Sequence, residues 1–187
     1  MKQNKYAYTE NNQNNWLNKN KWLSEYQKEN ILFYLYTFGL LIVPMIITNQ
    51  LIIGTIVNAL LIGSAIKFKT KKVLVLSVVP SIAAFSAGVL FGSITHQVLL
   101  MLPFIWMGNV LLMILVRKLN VDFRKNYFYT LIASATGKTI LLFTIALVLF
   151  TINLVPILAL TAFGILQFAT AIMGGILYYS AKKLLRD

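Results

Sequence analysis

The chain of 187 residues lacks cysteine, has one histidine and contains only five Asp and Glu residues. Without cysteine it can form no disulfide, no thiolate metal site and no cysteine nucleophile. Intramembrane proteases and metal enzymes need Asp pairs, His clusters or Glu ligands, and the apolar part of the chain offers none of these. The single histidine, His96, is far along the sequence from any acidic residue. We therefore predict a protein that is not an enzyme and needs no cofactor or metal.

Acidic residues are so few that 17 Lys and Arg residues give a formal net charge of +12. Such a charge is common in proteins that bind nucleic acid, but here the basic residues flank apolar runs. Hydrophobic residues make up 58% of the chain, too large a share for a soluble domain of this size. The composition favours basic flanks that contact anionic lipid, with no nucleic-acid partner.

The apolar runs approach the ~20 residues that a helix needs to cross a bilayer. We place six of them, near residues 31–48, 50–66, 73–94, 98–116, 127–150 and 157–180. Lys and Arg follow the second, fourth and sixth runs and are missing from the other connections. Because basic loops stay inside, both termini are predicted to be cytoplasmic. The predicted fold class is all-α, an integral bundle of six transmembrane helices in the bacterial plasma membrane.

The first thirty residues differ from the rest of the chain, since they are rich in Asn, Lys and Gln. Within them Trp16, Trp22 and Tyr26 recur at roughly helical spacing. This pattern is typical of a short helix lying at the cytoplasmic lipid interface, while a disordered tail with stray aromatics is the alternative. We divide the chain into a polar cytoplasmic tail at 1–30 and a transmembrane domain at 31–187.

Four strongly polar side chains fall at similar depth on four predicted spans. At ~1.5 Å per residue from the outer ends, they lie roughly 12 to 18 Å deep. Two more polar residues share a helical face with members of this set: Ser134 lies four residues before Lys138, and Thr170 lies three residues after Gln167. The predicted substrate-binding residues are Asn58, Asn109, Lys138 and Gln167, together with Ser134 and Thr170.

Lys138 is the one residue within the predicted membrane core that carries a formal charge. No Asp or Glu occurs from Ile31 to Val121 to neutralise it, and an ammonium in hydrocarbon is costly. From mid-span its side chain of ~6 Å hardly reaches an interface ~15 Å away. Two explanations are open: a neutral amine, because burial disfavours the charged form, or a ligand that supplies a negative or polar group. Asn and Gln side chains that only tie helices together form the competing explanation for the polar layer.

Residues 135–139, ATGKT, contain the G-K-T end of a nucleotide-binding P-loop. The full motif also needs glycine where Ile132 stands and a preceding strand in a soluble sheet. Because this stretch lies inside a predicted span, the chain is not expected to hydrolyse ATP.

Several runs, spread over about 130 residues, resemble the substrate-binding S components of energy-coupling factor (ECF) transporters. They are VNALL at 57–61, PFIWMGNVL at 103–111, an Ala-rich start of the fifth span leading to Lys138, and LQFATAIMGG at 166–175. The resemblance implies a subunit that captures a vitamin or similar micronutrient from outside, with Lys138 facing an acidic or polar group of it. It also implies partners, namely a transmembrane coupling subunit and two cytosolic ATPases.

The chain departs from that family at two points. Its first span has no Ala-x-x-x-Ala ridge for the coupling subunit, and Leu166 stands where proline often precedes the glutamine. Small residues of the third span, from Ala83 to Gly92, are the other candidate docking ridge. The alternative function is a structural or regulatory membrane subunit. An autonomous transporter or channel fits less well, because intramembrane acids and an internal repeat are missing.

Overall fold

A computed structural model describes residues 3–86 and 99–185, with side chains from Ser24 onward. Within these residues the chain is helical and contains no strand. The helices are α1 (Gln3–Ile46), α2 (Gln50–Lys67), α3 (Thr70–Ser86), α4 (Leu102–Val116), α5 (Tyr127–Thr151), α6 (Leu158–Phe163) and α7 (Ile165–Leu184). A 3₁₀ turn at Leu99–Met101 precedes α4, and a π-helical turn at Arg117–Asp122 follows it.

The chain divides into two compact units, residues 1–35 and residues 36–187. The described part of the first unit is helical throughout, as the first part of α1. Its sequence is the predicted polar tail followed by the start of the first predicted span. The second unit is the helical bundle, and it contains every predicted site residue.

The ends of the bundle helices are set by side chains that cap the free backbone amides. The side chain of Asn49 accepts hydrogen bonds from the amides of Leu51 and Ile52 at the start of α2, at 3.0 and 3.2 Å. Asn126 does the same for the first turn of α5. Such caps satisfy two of the four amides that a helix N-terminus leaves without partners. Short polar connections thus begin new helices at defined residues.

Side-chain contacts show the directions in which the helices run, with α3 and α4 antiparallel. The Asn109 side chain of α4 donates a hydrogen bond to the Ser77 carbonyl of α3. Trp106, one turn earlier on α4, donates to Ser81, one turn later on α3. The helices α2 and α7 run parallel, because the neighbours of Gly54 and Gly63 on α7 are Thr170 and Tyr178. This order gathers residues 67–72, 117–125 and 182–183 at one end of the bundle, the basic end. Residues 47–49 and 152–157, which carry no Lys or Arg, lie at the other, the neutral end.

The contact between α2 and α7 is made at backbone distance. A Cβ atom built on Gly174 would lie 2.6 Å from the Thr55 carbonyl oxygen and 2.8 Å from the Ala59 amide nitrogen. A Cβ on Gly54 would lie 2.8 Å from Thr170 Cγ2. Without side chains at these positions, the two helices approach closely enough to bring Asn58 beside α7. The glycines of the sixth predicted span therefore pack inside the bundle.

Within the part of the chain that the structure describes, five stretches are long and apolar enough to cross a membrane: Ser24–Ile46, Gln50–Lys67, Leu99–Asp122, Tyr127–Thr151 and Leu158–Leu184. Large apolar side chains cover much of the bundle exterior, among them Phe38, Ile46, Ile132 and Ile165 at 56% exposure or more. This surface suits lipid, and the chain is a multi-pass membrane protein by length and composition. The all-α prediction is confirmed at this level.

Two predicted spans differ from the structure in detail. The third, near 73–94, corresponds to α3, of which 17 residues are described; Gly88 and Gly92 of the small ridge, and His96, lie outside the described residues. The last, near 157–180, is two helices, α6 and α7, because the backbone turns at Gly164. A Cβ there would lie 2.6 Å from the Leu160 carbonyl oxygen, so a side chain has no room at the break.

Replacing Gly174 by alanine should loosen the α2–α7 contact. The added methyl meets backbone atoms that cannot rotate away, and overpacking of this kind costs ~1–3 kcal/mol. We expect a lower thermal unfolding midpoint for G174A in detergent, followed by fluorescence-detected gel filtration.

Gly39→Ala is the matched control. Its added Cβ meets only the end of the Leu60 side chain, at 3.1 Å, and Gly→Ala inside a helix is otherwise favourable by ~1 kcal/mol. Equal midpoints for G174A and G39A would contradict backbone-distance packing of α2 on α7.

Candidate functional site

Lys138 lies in the middle of α5 and is only 3% exposed. Its Nζ donates hydrogen bonds to Asn58 Oδ1 of α2 and to Asn109 Oδ1 of α4, both at 2.9 Å. One amine thus joins three helices that are far apart in sequence. Because lysine is donor-only when charged, both asparagines turn their oxygens toward it.

The amide nitrogens of the two asparagines carry the network outward to further helices. Asn58 Nδ2 donates to Thr170 Oγ1 of α7 at 3.2 Å, and Asn109 Nδ2 donates to the Ser77 carbonyl of α3 at 2.9 Å. The Thr170 hydroxyl donates in turn to the Gln167 carbonyl at 3.2 Å. Buried polar groups are costly unless they are bonded, and these are bonded on five helices.

A cavity of about 110 Å³ lies directly against this network. Its lining comes from α1, α2, α3, α4, α5, α6 and α7, all within the bundle unit. The lining residues are Pro44, Gln50, Ile53, Gly54, Val57, Asn58, Pro80, Ser81, Ala84, Ile105, Asn109, Lys138, Ala162, Phe163, Leu166, Gln167 and Thr170. Lys138 and Asn109 lie at the middle of their helices and Ala162 and Phe163 at the end of α6, while the other lining residues belong to the halves of their helices toward the neutral end. The cavity therefore extends from mid-bundle toward the neutral end, with Lys138 at its floor.

The structure brings five of the six predicted site residues to this one cavity: Asn58, Asn109, Lys138, Gln167 and Thr170. Ser134 is fully buried one turn further toward the basic end and does not line the cavity. The hydroxyls of Ser134 and Thr130 have no hydrogen-bond partner within the part of the chain that the structure describes. The helical face predicted for α5 is therefore real, but its cavity-facing member is Lys138.

Other lining residues were missed by the sequence reasoning. Ser81 lines the cavity, accepts a hydrogen bond from Trp106 Nε1 and donates to the Val78 carbonyl. The feature of the sequence that could have identified Ser81 is its i, i+4 spacing from Ser77 inside an apolar span. Pro44 and Pro80 also line the cavity from within helices, where proline leaves one carbonyl per helix without its amide donor. The prolines were visible in the sequence, but nothing there placed them together.

The electrostatics of the site are set by one amine without an acidic partner. Among the described residues, Lys138 has hydrogen bonds to the two asparagines and no carboxylate within ion-pair distance. The sequence has no Asp or Glu between Glu29 and Asp122, nor between Asp122 and Asp187. Within residues 3–86 and 99–185, no three His, Cys, Asp or Glu side chains gather as a metal site would require. The arrangement suits recognition of a ligand by hydrogen bonds and charge.

Comparison of the chain with protein-family models, with curated proteins and with solved structures gives no match.

Substituting Asp for each asparagine in turn should distinguish the hydrogen-bond partner of the Asn58 amide from that of the Asn109 amide. In Asn58→Asp, a carboxylate faces the amine, and the Thr170 hydroxyl can rotate to donate to its second oxygen. In Asn109→Asp, the second oxygen faces the Ser77 carbonyl, which cannot donate. We expect N58D to unfold at a higher temperature than N109D, by the ~1–3 kcal/mol that an unsatisfied buried group costs.

The measurement is the thermal midpoint of each purified variant in the same detergent. N109D as stable as N58D, or more stable, would show that the Asn109 amide does not depend on the Ser77 carbonyl.

Proposed function

We propose that this chain is the substrate-capturing subunit of an ATP-driven importer, of the kind formed by the S components of ECF transporters. In this proposal it crosses the membrane six times, with both termini and the basic end in the cytoplasm. The cavity then opens toward the outside and takes up a vitamin or similar micronutrient. One observation carries the proposal: a buried lysine without an acidic partner forms the floor of a cavity.

The membrane orientation is supported by the distribution of charge over the two ends of the bundle. Residues 67–72 contribute four Lys, and residues 117–125 contribute two Arg and two Lys. The connections at 47–49 and 152–157 contribute none. The cytoplasmic leaflet is anionic and basic loops resist export, so the basic end belongs inside. A cavity in the neutral half is then accessible from outside.

Capture depends on groups that are already in place before the ligand arrives. Asn58 and Asn109 fix the Lys138 amine, so that little side-chain freedom is lost when it donates to a ligand. Gln50 and Gln167 offer further hydrogen bonds nearer the neutral end. Most of the remaining lining is apolar, which suits small-molecule sites with a few well-placed polar groups.

The resemblance of the sequence runs supports the same function. The runs at 57–61, 103–111 and 166–175 contain Asn58, Asn109, Gln167 and Thr170, and all four line the cavity with Lys138. The chain has no complete ATP-binding motif, so energy would come from cytosolic ATPases through a transmembrane coupling subunit. Of the predicted docking ridge in the third span, Ala83 and Ala84 are buried within the bundle, and its other members lie outside the described residues.

The second candidate function is a structural or regulatory membrane subunit. It is favoured by the mutual satisfaction of the asparagine amides, since a staple between helices needs no ligand. In that case no metabolite would accompany the purified protein, and Asn109→Leu would be tolerated or stabilising. This second function does not explain why a cavity lies beside the Lys138 amine.

Lys138→Ala should abolish retention of the captured molecule without preventing membrane insertion. The substitution removes the one group at the cavity floor that carries charge, while the apolar spans that drive insertion are unchanged. We would measure the mass of any small molecule bound to the wild-type protein by native mass spectrometry, and then titrate the identified molecule into both proteins by calorimetry.

Thr130→Val is the matched control, because Thr130 is buried on the same face of α5 but does not line the cavity. Losing a hydroxyl that has no partner should leave both stability and affinity near those of the wild type. Equal affinity in K138A and wild type would refute the assignment of Lys138.

A further inference from the structure

We infer that the cavity selects a small monocarboxylate with an apolar body, bound with its carboxylate against the Lys138 ammonium. The inference rests on the proposed function, since it names the chemical class that the same cavity would take. It follows from the charges, hydrogen bonds and lining around Nζ.

The first step is the missing counter-charge. An ammonium has three N–H donors, and the structure assigns two of them to Asn58 and Asn109. Neither asparagine is charged, so when Lys138 is protonated its charge is hydrogen-bonded but not neutralised. A charge held in a low-dielectric interior is paired wherever a partner can be found. The cavity is the space beside Lys138 from which such a partner can come.

The second step excludes other charge types. Cationic ligands are disfavoured, because the lining contains no Asp or Glu and one positive group. Phosphate esters with two negative charges are also disfavoured, since Lys138 is the lining's one Lys or Arg side chain. A single carboxylate brings the site to neutrality with one charge-assisted hydrogen bond to the third donor.

The third step concerns the rest of the molecule. Above the floor, apolar side chains converge from several helices, including Ile53, Val57, Ile105, Phe163 and Leu166. A polar body such as a sugar would lose its hydration against these surfaces without gaining partners. An apolar ring or branched chain fits, with Gln50 and Gln167 able to meet one or two polar atoms near its far end.

The fourth step sets the size. An apolar cavity of ~150 Å³ takes up one benzene molecule. The cavity of about 110 Å³ is of similar size, so it suits one small molecule with a single ring or a short branched chain. Benzoate and cyclohexanecarboxylate are among the smallest ring compounds that present one carboxylate on an apolar body. Their amides and amines have nearly the same shape, which makes them suitable controls for charge.

The experiment compares acids, amides and amines on three versions of the full-length protein. Benzoate, benzamide and benzylamine, and the three cyclohexane analogues, are tested by thermal shift and calorimetry on wild type, K138M and N58D. On wild type we expect the acids to bind at least tenfold more tightly than the amides, and the amines not to bind.

The N58D variant makes the test specific to charge. It keeps the lysine and the cavity but supplies an internal carboxylate beside Nζ. The preference for acids over amides should therefore fall to less than about threefold in N58D and also in K138M. If the preference survived in N58D, the ammonium would not be the element that selects acids.

The outcomes separate this inference from the proposed function. Amides or amines that bind wild type as well as acids, or acids that do not bind at all, overturn the ligand class. A neutral or cationic metabolite found by native mass spectrometry, and lost in K138A, also overturns the class but leaves substrate capture standing. If wild-type protein carries no metabolite and benzoate still binds through Lys138, the class stands and the importer function fails.

Discussion

The fold depends on holding a buried amine between two amide oxygens in the centre of a membrane bundle. Placing a lysine at the middle of a transmembrane helix costs ~2.5–3.5 kcal/mol on insertion scales. Each hydrogen bond to a charged group returns ~1.5–3 kcal/mol. The two bonds from Lys138 to Asn58 and Asn109 are therefore of the right size to offset that cost. Without both hydrogen bonds, the cost of burying Lys138 in the middle of α5 would not be offset.

Those two hydrogen bonds require α2, α4 and α5 to be fixed along their axes relative to one another. Close packing at small residues fixes them. Gly174 lets α7 touch the α2 backbone, which places Thr170 against the Asn58 amide. Gly108 receives the Leu142 side chain of α5, so α4 and α5 also meet closely. Toward the neutral end, Phe163 and its apolar neighbours pack around Leu142 beside the cavity, which Phe163 also lines. Polar bonding and close packing thus fix the same register.

Hydropathy and charge were enough to predict an all-helical membrane chain and the neighbourhood of the site, because both follow from residue type and spacing. Equal depth on different spans predicted that Asn58, Asn109 and Lys138 would meet. The partner of the Asn109 amide nitrogen was not predictable, since the Ser77 carbonyl is a backbone group that no side-chain pattern marks. The break at Gly164 was also missed, because the run of apolar residues continues unbroken through it. The depth at which the cavity ends, one turn short of Ser134, depends on packing that one sequence does not encode visibly.

The choice of asparagine at the lysine's two partners has a functional consequence. An Asp at either position would neutralise the amine, but an incoming anion would then have to compete with an internal ion pair. Asparagine oxygens hold Nζ in place and stabilise the empty protein, yet they leave the net charge of the site at +1 when Lys138 is protonated. The empty state is thereby tolerable while the attraction for an anion is preserved. The proposed capture of an anion requires this intermediate arrangement, because full internal compensation would lower the affinity and none at all would leave the buried charge unsolvated.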